Sequence, residues 1–352
     1  MKQWQSPIYG LKNKIRIKME LKQEYLEEAY KNEKDLPTKI RLDISTVCQL
    51  HCPSCYMRKF PEKVKNGCGI GHLKFKDFKN FIDLNPNIKE LELSNSGEIF
   101  LNPDFIKIIE YAHSKNIKQT ANNGVNLNYL TDEQAEALVK YQFNRIIVSL
   151  DGGSQETYGK YRIGGNYETV IENIKKIVRY KRQYRSFLPI ISWKYIVFGH
   201  NEKDIPNAKK QAGELEVNEI SFRAAWNDDF PLQDFDFVKK ETGIEPINSF
   251  TNTIEQLKDY KACKISWFPC MFLWSSPQIN WDGQLLGCCE CYDRNFGRNA
   301  LHQRLIDTLN SPKLIYAKNM IQGKAPANPE IPCYNCKTYQ EMKNADIWFS
   351  KQ

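Results

Sequence analysis

The run Asp43-Ile-Ser-Thr-Val-Cys-Gln-Leu-His-Cys-Pro-Ser-Cys-Tyr56 decides how this chain is interpreted. It continues a strand-like stretch of alternating apolar residues, and its cysteines, Cys48, Cys52 and Cys55, have the spacing C-x3-C-x2-C. Iron–sulfur clusters that only transfer electrons usually have four cysteine ligands. Three thiolates on one short loop can hold three irons of a cubane cluster and leave the fourth iron open. We therefore expect a cluster that binds and activates a small molecule.

Two other kinds of metal site fit this loop less well. A zinc site more often has paired C-x2-C knuckles separated by a longer loop. A haem attachment site needs C-x-x-C-H, whereas His51 precedes its cysteine. The loop resembles instead the signature of the radical S-adenosylmethionine (radical SAM) superfamily. The resemblance also places Tyr56, the aromatic residue after the last cysteine, in the cofactor site.

The resemblance implies how the open iron is used. In the superfamily this iron chelates the amino and carboxylate groups of S-adenosylmethionine. One electron from the 4Fe-4S cluster then produces a 5′-deoxyadenosyl radical, which abstracts a hydrogen atom from substrate. A flavodoxin or ferredoxin-type protein is the expected electron donor. Cys48, Cys52 and Cys55 are accordingly the predicted catalytic and cluster-binding residues.

Composition is that of an ordinary globular protein. The 352 residues are 41% hydrophobic and 26% charged, which suggests two domains or one large barrel with additions. The N-terminus lacks the apolar segment of a secretory signal and no apolar run is long enough for a membrane span, so we expect a cytoplasmic protein without a membrane partner. The net charge of +8 fits solvated helix faces or an anionic substrate. No nucleic-acid motif is present, and no nucleic-acid partner is expected.

From residue 38 onward, strand-like and helix-like patterns alternate. This alternation predicts repeated βα units and a parallel sheet. Strands are predicted at 39–46, 88–94, 117–122, 145–150, 189–198 and 219–223, and helices near 73–84, 103–115, 131–140, 166–184 and 202–213. Six units resemble the partial (β/α)6 barrel of radical SAM enzymes, an α/β fold related to the TIM barrel. Barrels of this kind place their chemistry at the carboxyl ends of the strands.

The patterns divide the chain into four parts. An N-terminal extension, 1–37, contains one helical stretch at 21–30. The partial barrel follows at 38–224. The regular pattern breaks at 225–261, which we interpret as a connector. A small cysteine-rich domain is predicted at 262–352.

The second and third predicted strands end in residues that suit cofactor binding. Ser-Gly97-Glu98-Ile resembles the Gly-Gly-Glu-Pro motif of the superfamily, although its first glycine and its proline are changed. The resemblance implies that this segment, with Glu98, accepts hydrogen bonds from the amino group of S-adenosylmethionine. Asn123, in an Asn-Gly pair, would either bond the ribose or only shape a turn.

The fourth predicted strand ends in Ser149-Leu-Asp151-Gly, and Arg162 follows before a glycine pair. This segment resembles radical SAM enzymes that have a cysteine-rich C-terminal extension. The resemblance implies that Ser149 and Arg162 hold the methionyl carboxylate, a role that suits the forked guanidinium group. Asp151 is expected to face the substrate cavity or the ribose.

A second group of cysteines lies near the C-terminus. Cys270, Cys288 and the pair Cys333-Tyr-Asn-Cys336 surround an Asp-Gly hairpin signal at 282–283. Four thiolates in this arrangement suit a fully ligated cluster or a structural zinc. The pattern resembles the twitch domain, a shortened relative of the SPASM domain, which implies one auxiliary 4Fe-4S cluster. Cys289 is an alternative ligand to Cys288.

The remaining cysteines, Cys68, Cys263 and Cys291, are expected to be small buried hydrophobic residues. A disulfide framework is not needed at this chain length.

The resemblance specifies the class of chemistry but not the substrate. We favour oxidation of a C–H bond in a polar small molecule such as a sugar or cyclitol, with the auxiliary cluster accepting the second electron. Radical epimerisation, in which a thiol returns a hydrogen atom, is an alternative. Maturation of a ribosomally made peptide is another. Outside enzymes, the alternative is a protein that binds iron–sulfur or zinc and only mediates interactions.

Overall fold

A curved, mostly parallel sheet forms the centre of the molecule. The computed structural model describes residues 29–225, 230–244, 253–262, 268–289 and 293–350. Within these residues the strands are β1 Lys39–Leu42, β2 Glu90–Glu92, β3 Lys118–Val125, β4 Arg145–Ser149, β5 Ile190–Val197, β6 Glu219–Ala224, β7 Gln278–Ile279 and β8 Leu285–Gly287. Their order in the sheet is β6-β5-β4-β3-β2-β1-β7-β8. Strands β1 to β6 are all parallel to their neighbours, as the predicted βα units require.

Helices cover the outer face of this sheet. The described α-helices are α1 Tyr56–Lys59, α2 Pro61–Asn66, α3 Phe75–Leu84, α4 Phe105–Ser114, α5 Asp132–Lys140, α6 Gln155–Tyr161, α7 Tyr167–Gln183, α8 Ile205–Glu214, α9 Phe235–Thr242, α10 Thr253–Lys261, α11 Phe272–Ser275, α12 Leu305–Leu309, α13 Pro312–Ile321 and α14 Lys337–Ala345. Helices α3, α4, α5 and α7 pack against one another in succession. No helix in the described ranges is both long and apolar enough to cross a membrane.

The alternation of side chains along β5 separates the core from the barrel interior. Trp193 and Tyr195 are fully buried, with Val197 beyond them. Successive side chains of a strand point to opposite faces, so Lys194 and Ile196 point the other way. These two residues line a cavity on the concave side of the sheet. A hydrophobic core on one face and a polar chamber on the other therefore follow from the pattern of this strand.

The C-terminal hairpin extends the barrel sheet. Strand β7 pairs in parallel with β1, and β8 pairs antiparallel with β7. The side-chain amide of Gln278, on β7, donates a 2.7 Å hydrogen bond to the buried carboxylate of Asp43, which directly follows β1. Burial raises the pKa of Asp43 to about 6. This junction joins the cysteine-rich region to the strand that precedes the three-cysteine loop.

The α/β fold and the partial barrel predicted from the sequence are confirmed, with strand ends shifted by a few residues. The predicted hairpin at 282–283 is present. Helices α1, α2 and α6 were not predicted, and the connector 225–261 contains α9 and α10. The helix predicted at 21–30 lies almost wholly outside the described residues. The four-part division of the chain stays a prediction. Strands β7 and β8, from the cysteine-rich part, continue the barrel sheet.

Candidate active site

The carboxyl ends of the parallel strands surround one chamber of about 1040 Å³, including its open mouth. Most of the residues that the sequence predicts for the cofactor site line it: Cys48, Cys52, Cys55, Tyr56, Gly97, Glu98, Asn123, Ser149 and Arg162. They come from the loop after β1, from the ends of β2, β3 and β4, and from the end of α6. Topology thus brings together residues that are more than 100 positions apart in the chain.

Hydrogen bonds to its backbone hold the three-cysteine loop in place. Arg58 donates to the carbonyl oxygens of Cys48 and Leu50, at 2.6 and 3.0 Å. The amide of His51 donates to the carbonyl of Ile163 at 2.9 Å. His51 is exposed and serves the loop through its backbone. The loop therefore keeps its shape through bonds that leave the three thiols facing the chamber.

Two polar groups of the protein approach the sulfur atoms. Arg162 Nη1 lies 3.6 Å from Cys52 Sγ, and Asn126 Nδ2 lies 3.8 Å from Cys48 Sγ. Burial raises the pKa of Cys48 to about 12, and burial also raises the pKa of Cys52, against which the charge of Arg162 acts. Thiolates are the form that binds iron, so these donors stabilise the ligands in the form a cluster requires.

Gly97 brings the end of β2 against the three-cysteine loop. Its φ is +63°, and a Cβ atom there would lie 2.6 Å from the carbonyl oxygen of Ser45. The next amide, of Glu98, donates to the carbonyl of Val47 at 2.8 Å. Only glycine tolerates both the conformation and the approach. This contact fixes the distance between the Glu98 segment and the cysteines.

We predict that Gly97→Ala destabilises the protein by more than the 1–2 kcal/mol that a left-handed residue costs, about 3 kcal/mol, because the new methyl group also meets backbone atoms. Chemical denaturation followed by circular dichroism measures the change. The matched control is Gly213→Ala on α8, where a methyl group would have no neighbour within 4 Å. That variant should gain about 0.5–1 kcal/mol, as expected when alanine replaces a helical glycine. Equal stability of the two variants would contradict the role of Gly97.

Glu98 is buried at the chamber wall. Its carboxylate accepts from the amide of Asn126 at 2.6 Å and from that of Phe100 at 3.4 Å. Burial nevertheless raises the pKa of Glu98 to about 7. The carboxylate is placed to accept a hydrogen bond from a cationic ligand in the chamber, although it already accepts hydrogen bonds from two backbone amides.

Asp151 lies below the chamber rather than in its wall. It is fully buried, and its Oδ2 atom accepts from both Nε and Nη2 of Arg162 at 2.6 Å. Its Oδ1 atom accepts from the amide of Ile196 at 2.7 Å. The structure therefore shows Asp151 as the counter-ion that positions Arg162. The sequence-based expectation that it faces substrate or ribose stays a prediction.

The chamber also has polar residues that the sequence analysis did not select. Ser94, Asn95, Asn126 and Lys194 all line it. Ser94 Oγ accepts from the amides of Asn123 and Gly124, at 3.2 and 3.3 Å. The Asn123 side chain donates to Asn95 Oδ1 at 3.0 Å. One of them, Lys194, could have been found from the sequence, because it is a charged residue in the middle of a buried strand.

The second group of cysteines meets in a separate cavity of about 650 Å³, including its open mouth. Cys270, Cys288, Cys333 and Cys336 line it together with apolar residues such as Phe296. Cys336 precedes α14, and its amide donates to the carbonyl of Cys333 at 3.0 Å, so this pair forms one tight turn. Cys288 follows β8 and reaches the cavity, whereas its neighbour Cys289 is not among the lining residues. Cys263 and Cys291 lie outside the described residues.

Cys68 belongs to neither cavity. It is almost fully buried against Val64 and Leu286. Its carbonyl accepts from the side chains of Asn280 and Trp281, at 2.6 and 3.1 Å. In the structure Cys68 is a small buried residue of the loop after α2, and it packs against the hairpin.

A parallel partial barrel with three thiols on the loop after its first strand defines a class of protein. The sequence model of the Radical SAM superfamily matches residues 42–210, which contain all three thiols and most of the chamber. This match identifies residues 42–210 as a radical SAM domain.

Two curated proteins have sequences related to this chain at low identity. A probable GTP 3′,8-cyclase of Methanococcus maripaludis is 30% identical over 143 residues, 39% of this chain and 44% of that protein. The antilisterial bacteriocin subtilosin biosynthesis protein AlbA of Bacillus subtilis is 24% identical over 312 residues, 84% of this chain and 64% of AlbA. The chain thus spans less than two thirds of the length of either curated relative.

Solved structures show the same fold at low identity. SuiB of Streptococcus suis bound to S-adenosylmethionine is similar with a TM-score of 0.59 and 14% identity, over 87% of this chain and 72% of SuiB. SuiB bound to its precursor peptide SuiA gives a TM-score of 0.56 and 13% identity, over 87% and 71%.

Proposed function

We propose that this chain cleaves S-adenosylmethionine reductively and uses the resulting 5′-deoxyadenosyl radical to remove a hydrogen atom from substrate. The observation that supports this function best is the convergence of Cys48, Cys52 and Cys55 on the chamber at the strand ends. Water-sized probes can occupy about 290 Å³ of the chamber, which is near the lower end of the range of about 300 to 1,000 Å³ for small-molecule sites.

The donor set of the chamber fits a 4Fe-4S cluster with S-adenosylmethionine on its open iron. When bound, this pair supplies the electron and the radical. The protein supplies positions and charges: Arg162 and Asn126 approach the thiolates, and Glu98 offers an acceptor for an ammonium group. Ser149 contributes a hydroxyl group to the same wall, and Tyr56 and Asn123 border it.

We further propose an auxiliary 4Fe-4S cluster in the four-thiol cavity. Its four thiols come from three segments of the chain and line one cavity, a donor set that suits a fully ligated cluster. A single electron acceptor of this kind supports net oxidation of a C–H bond.

The substrate class has two candidates. The sequence favours a sugar or cyclitol, and a flavodoxin or ferredoxin-type donor would reduce the first cluster. The comparisons favour a peptide, because the similarity to AlbA, a bacteriocin biosynthesis protein, extends over 84% of this chain. SuiB, which shares the fold, has been crystallised with a precursor peptide. Peptide maturation is therefore our second candidate function.

One experiment distinguishes these functions. Reconstituted enzyme, S-adenosylmethionine and a chemical reductant are incubated anaerobically with fractionated peptides and, separately, with fractionated small metabolites of the source cells. The correct fraction should raise 5′-deoxyadenosine formation above the background rate and contain a product lighter by two hydrogen atoms. A product of unchanged mass that gains one deuterium in heavy water would indicate an epimerase. Absence of 5′-deoxyadenosine under all conditions would refute the proposed function.

The auxiliary site should be separable from radical formation. We predict that Cys333→Ala or Cys336→Ala retains 5′-deoxyadenosine formation but loses product, because the substrate radical then has no electron acceptor. Product and 5′-deoxyadenosine are quantified together by mass spectrometry. The control is Cys68→Ala. The Cys68 thiol is buried and lines neither cavity, so this variant should retain both 5′-deoxyadenosine formation and product formation. Full product yield from Cys333→Ala would remove the electron-acceptor role.

A further inference from the structure

The tip of the C-terminal hairpin contacts a glycine-rich loop of the barrel. This loop, Gly67-Cys-Gly-Ile-Gly71, follows α2, and Trp281 lies at the turn between β7 and β8. Trp281 Nε1 donates to the carbonyl oxygen of Cys68 at 3.1 Å, and the side-chain amide of Asn280 donates to the same oxygen at 2.6 Å. The side-chain amide of Gln284 donates to the first carbonyl oxygen of the loop at 3.1 Å. Three side chains of the hairpin therefore anchor its tip to this loop.

The indole ring occupies the space that a side chain at Gly71 would fill. A Cβ atom on Gly71 would lie between 2.5 and 2.7 Å from three carbons of the Trp281 ring, whereas carbon atoms pack at about 3.5–4.0 Å. The backbone at Gly71 does not have the positive φ that by itself favours glycine. The close approach of the ring is therefore what requires glycine here. Because the ring is fixed by its bond to Cys68, it limits movement of Gly71 toward the hairpin.

Gly71 in turn pairs with Thr46, two residues before the first of the three cysteines. The amide of Thr46 donates to the carbonyl of Gly71 at 3.0 Å, and the amide of Gly71 donates to Thr46 Oγ1 at 2.9 Å. Thr46 is also part of the backbone that Gly97 approaches, since a Cβ atom on Gly97 would lie 2.6 Å from the carbonyl carbon of Thr46. These contacts form a continuous series from the hairpin to the three-cysteine loop and the end of β2.

We propose that Trp281 is a positioning residue for the three-cysteine loop: its ring holds Gly71 against Thr46 and so fixes the backbone that leads into the cysteines. This inference rests on the proposed function, in which these cysteines hold the radical-forming cluster. A shift of this backbone displaces the cluster relative to substrate, and a misplacement of about 1 Å can cost on the order of 100-fold in rate. The hairpin leads directly into Cys288, so one segment supports thiols of both cavities.

A methyl group added at Gly71 tests the contact. Gly71→Ala should lower the rate of 5′-deoxyadenosine formation, normalised to bound iron, about 10–100-fold, because the methyl group and the ring cannot both keep their positions. Trp281→Phe has a shorter ring that leaves this space, and alone it should lower the rate much less. In the double variant the methyl group has room, so the rate should lie within about twofold of that of Trp281→Phe, the non-additivity expected of residues in contact.

The matched control is Gly297→Ala. The carbonyl of Gly297 accepts from the amide of Leu285 on the same hairpin, but a methyl group at Gly297 would have no neighbour within 4 Å. This variant should keep the wild-type rate. A wild-type rate in Gly71→Ala, or a double variant as slow as Gly71→Ala alone, would overturn the assignment to Trp281.

Hydrogen exchange separates positioning of the loop from general stability. Peptide-resolved mass spectrometry of the reconstituted enzyme follows the amides of 44–47 and 71–73, which bond one another, together with those of β5. In Gly71→Ala the first two groups should exchange at least about tenfold faster, and β5 should be unchanged. Faster exchange throughout the chain would show that the contact only stabilises the fold, and would refute the positioning role. Absence of 5′-deoxyadenosine from wild-type enzyme would instead refute the proposed function, and hydrogen exchange would still decide whether the contact holds the loop.

Discussion

Replacing Cys48, Cys52 and Cys55 together with alanine should abolish 5′-deoxyadenosine formation and remove about half of the iron. Wild-type enzyme reconstituted anaerobically should bind about eight irons, four for each cubane cluster. Among the described residues, the three substitutions remove all thiols that line the chamber and leave the four thiols of the second cavity in place. The expected remainder is therefore about four irons.

Iron content, electron paramagnetic resonance and 5′-deoxyadenosine are measured on the same preparations. Cys68→Ala is the control for thiol loss, because Cys68 is buried outside both cavities. It should keep about eight irons and full cleavage activity. Continued cleavage of S-adenosylmethionine by the triple variant would show that the radical-forming site lies elsewhere. Loss of all iron from that variant would argue against a second, independent cluster.

Much of the fold was predictable because its signals are local. Strand β5 alternates fully buried Trp193 and Tyr195 with chamber-facing residues, and β1 to β6 each appear near a predicted strand. The short helices α1 and α2 were not predicted. Their few residues follow the three-cysteine loop and have no space for a helical repeat of apolar positions.

The parallel pairing of β7 with β1 was not predictable in this way. It joins residues more than 200 positions apart, and the register Arg41 to Gln278 depends on contacts between the two regions rather than on either segment alone. The Asp-Gly signal predicted the hairpin but not the strand beside which it lies.

The candidate site also combines residues that sequence motifs predicted with residues that only the folded structure reveals. The cysteine spacing, the Gly97-Glu98 pair and Ser149 were selected by motif, and the structure places them around one chamber. The direction of Asp151 could not be read from its motif, since an Asp-Gly pair at a strand end can face either the chamber or the layer beneath it. Lys194 was missed because a single lysine within a strand belongs to no motif, and only the folded sheet brings it to the chamber wall beside Asn123.

Asp151→Asn should destabilise the protein by about 3–5 kcal/mol, the cost of leaving a buried charge without its partner. Arg162 is only 15% exposed and Asp151 is not exposed at all, so water cannot replace the lost carboxylate. Asparagine preserves the size of the side chain and can still accept from the amide of Ile196. The loss should therefore come mainly from the charge of Arg162. Chemical denaturation of the chelator-treated protein measures it without a contribution from bound iron.

Two further variants identify the cause. Asp132→Asn removes an ion pair of the same type with Arg179, but there the side chains are 54% and 62% exposed, and the cost should stay below about 1 kcal/mol. Adding Arg162→Met to Asp151→Asn removes the uncompensated charge and should restore most of the lost stability, because a buried ion pair replaced by apolar groups is often close to neutral. If the double variant is as unstable as Asp151→Asn alone, the hydrogen bonds of Asp151, rather than the charge of Arg162, hold this wall of the chamber.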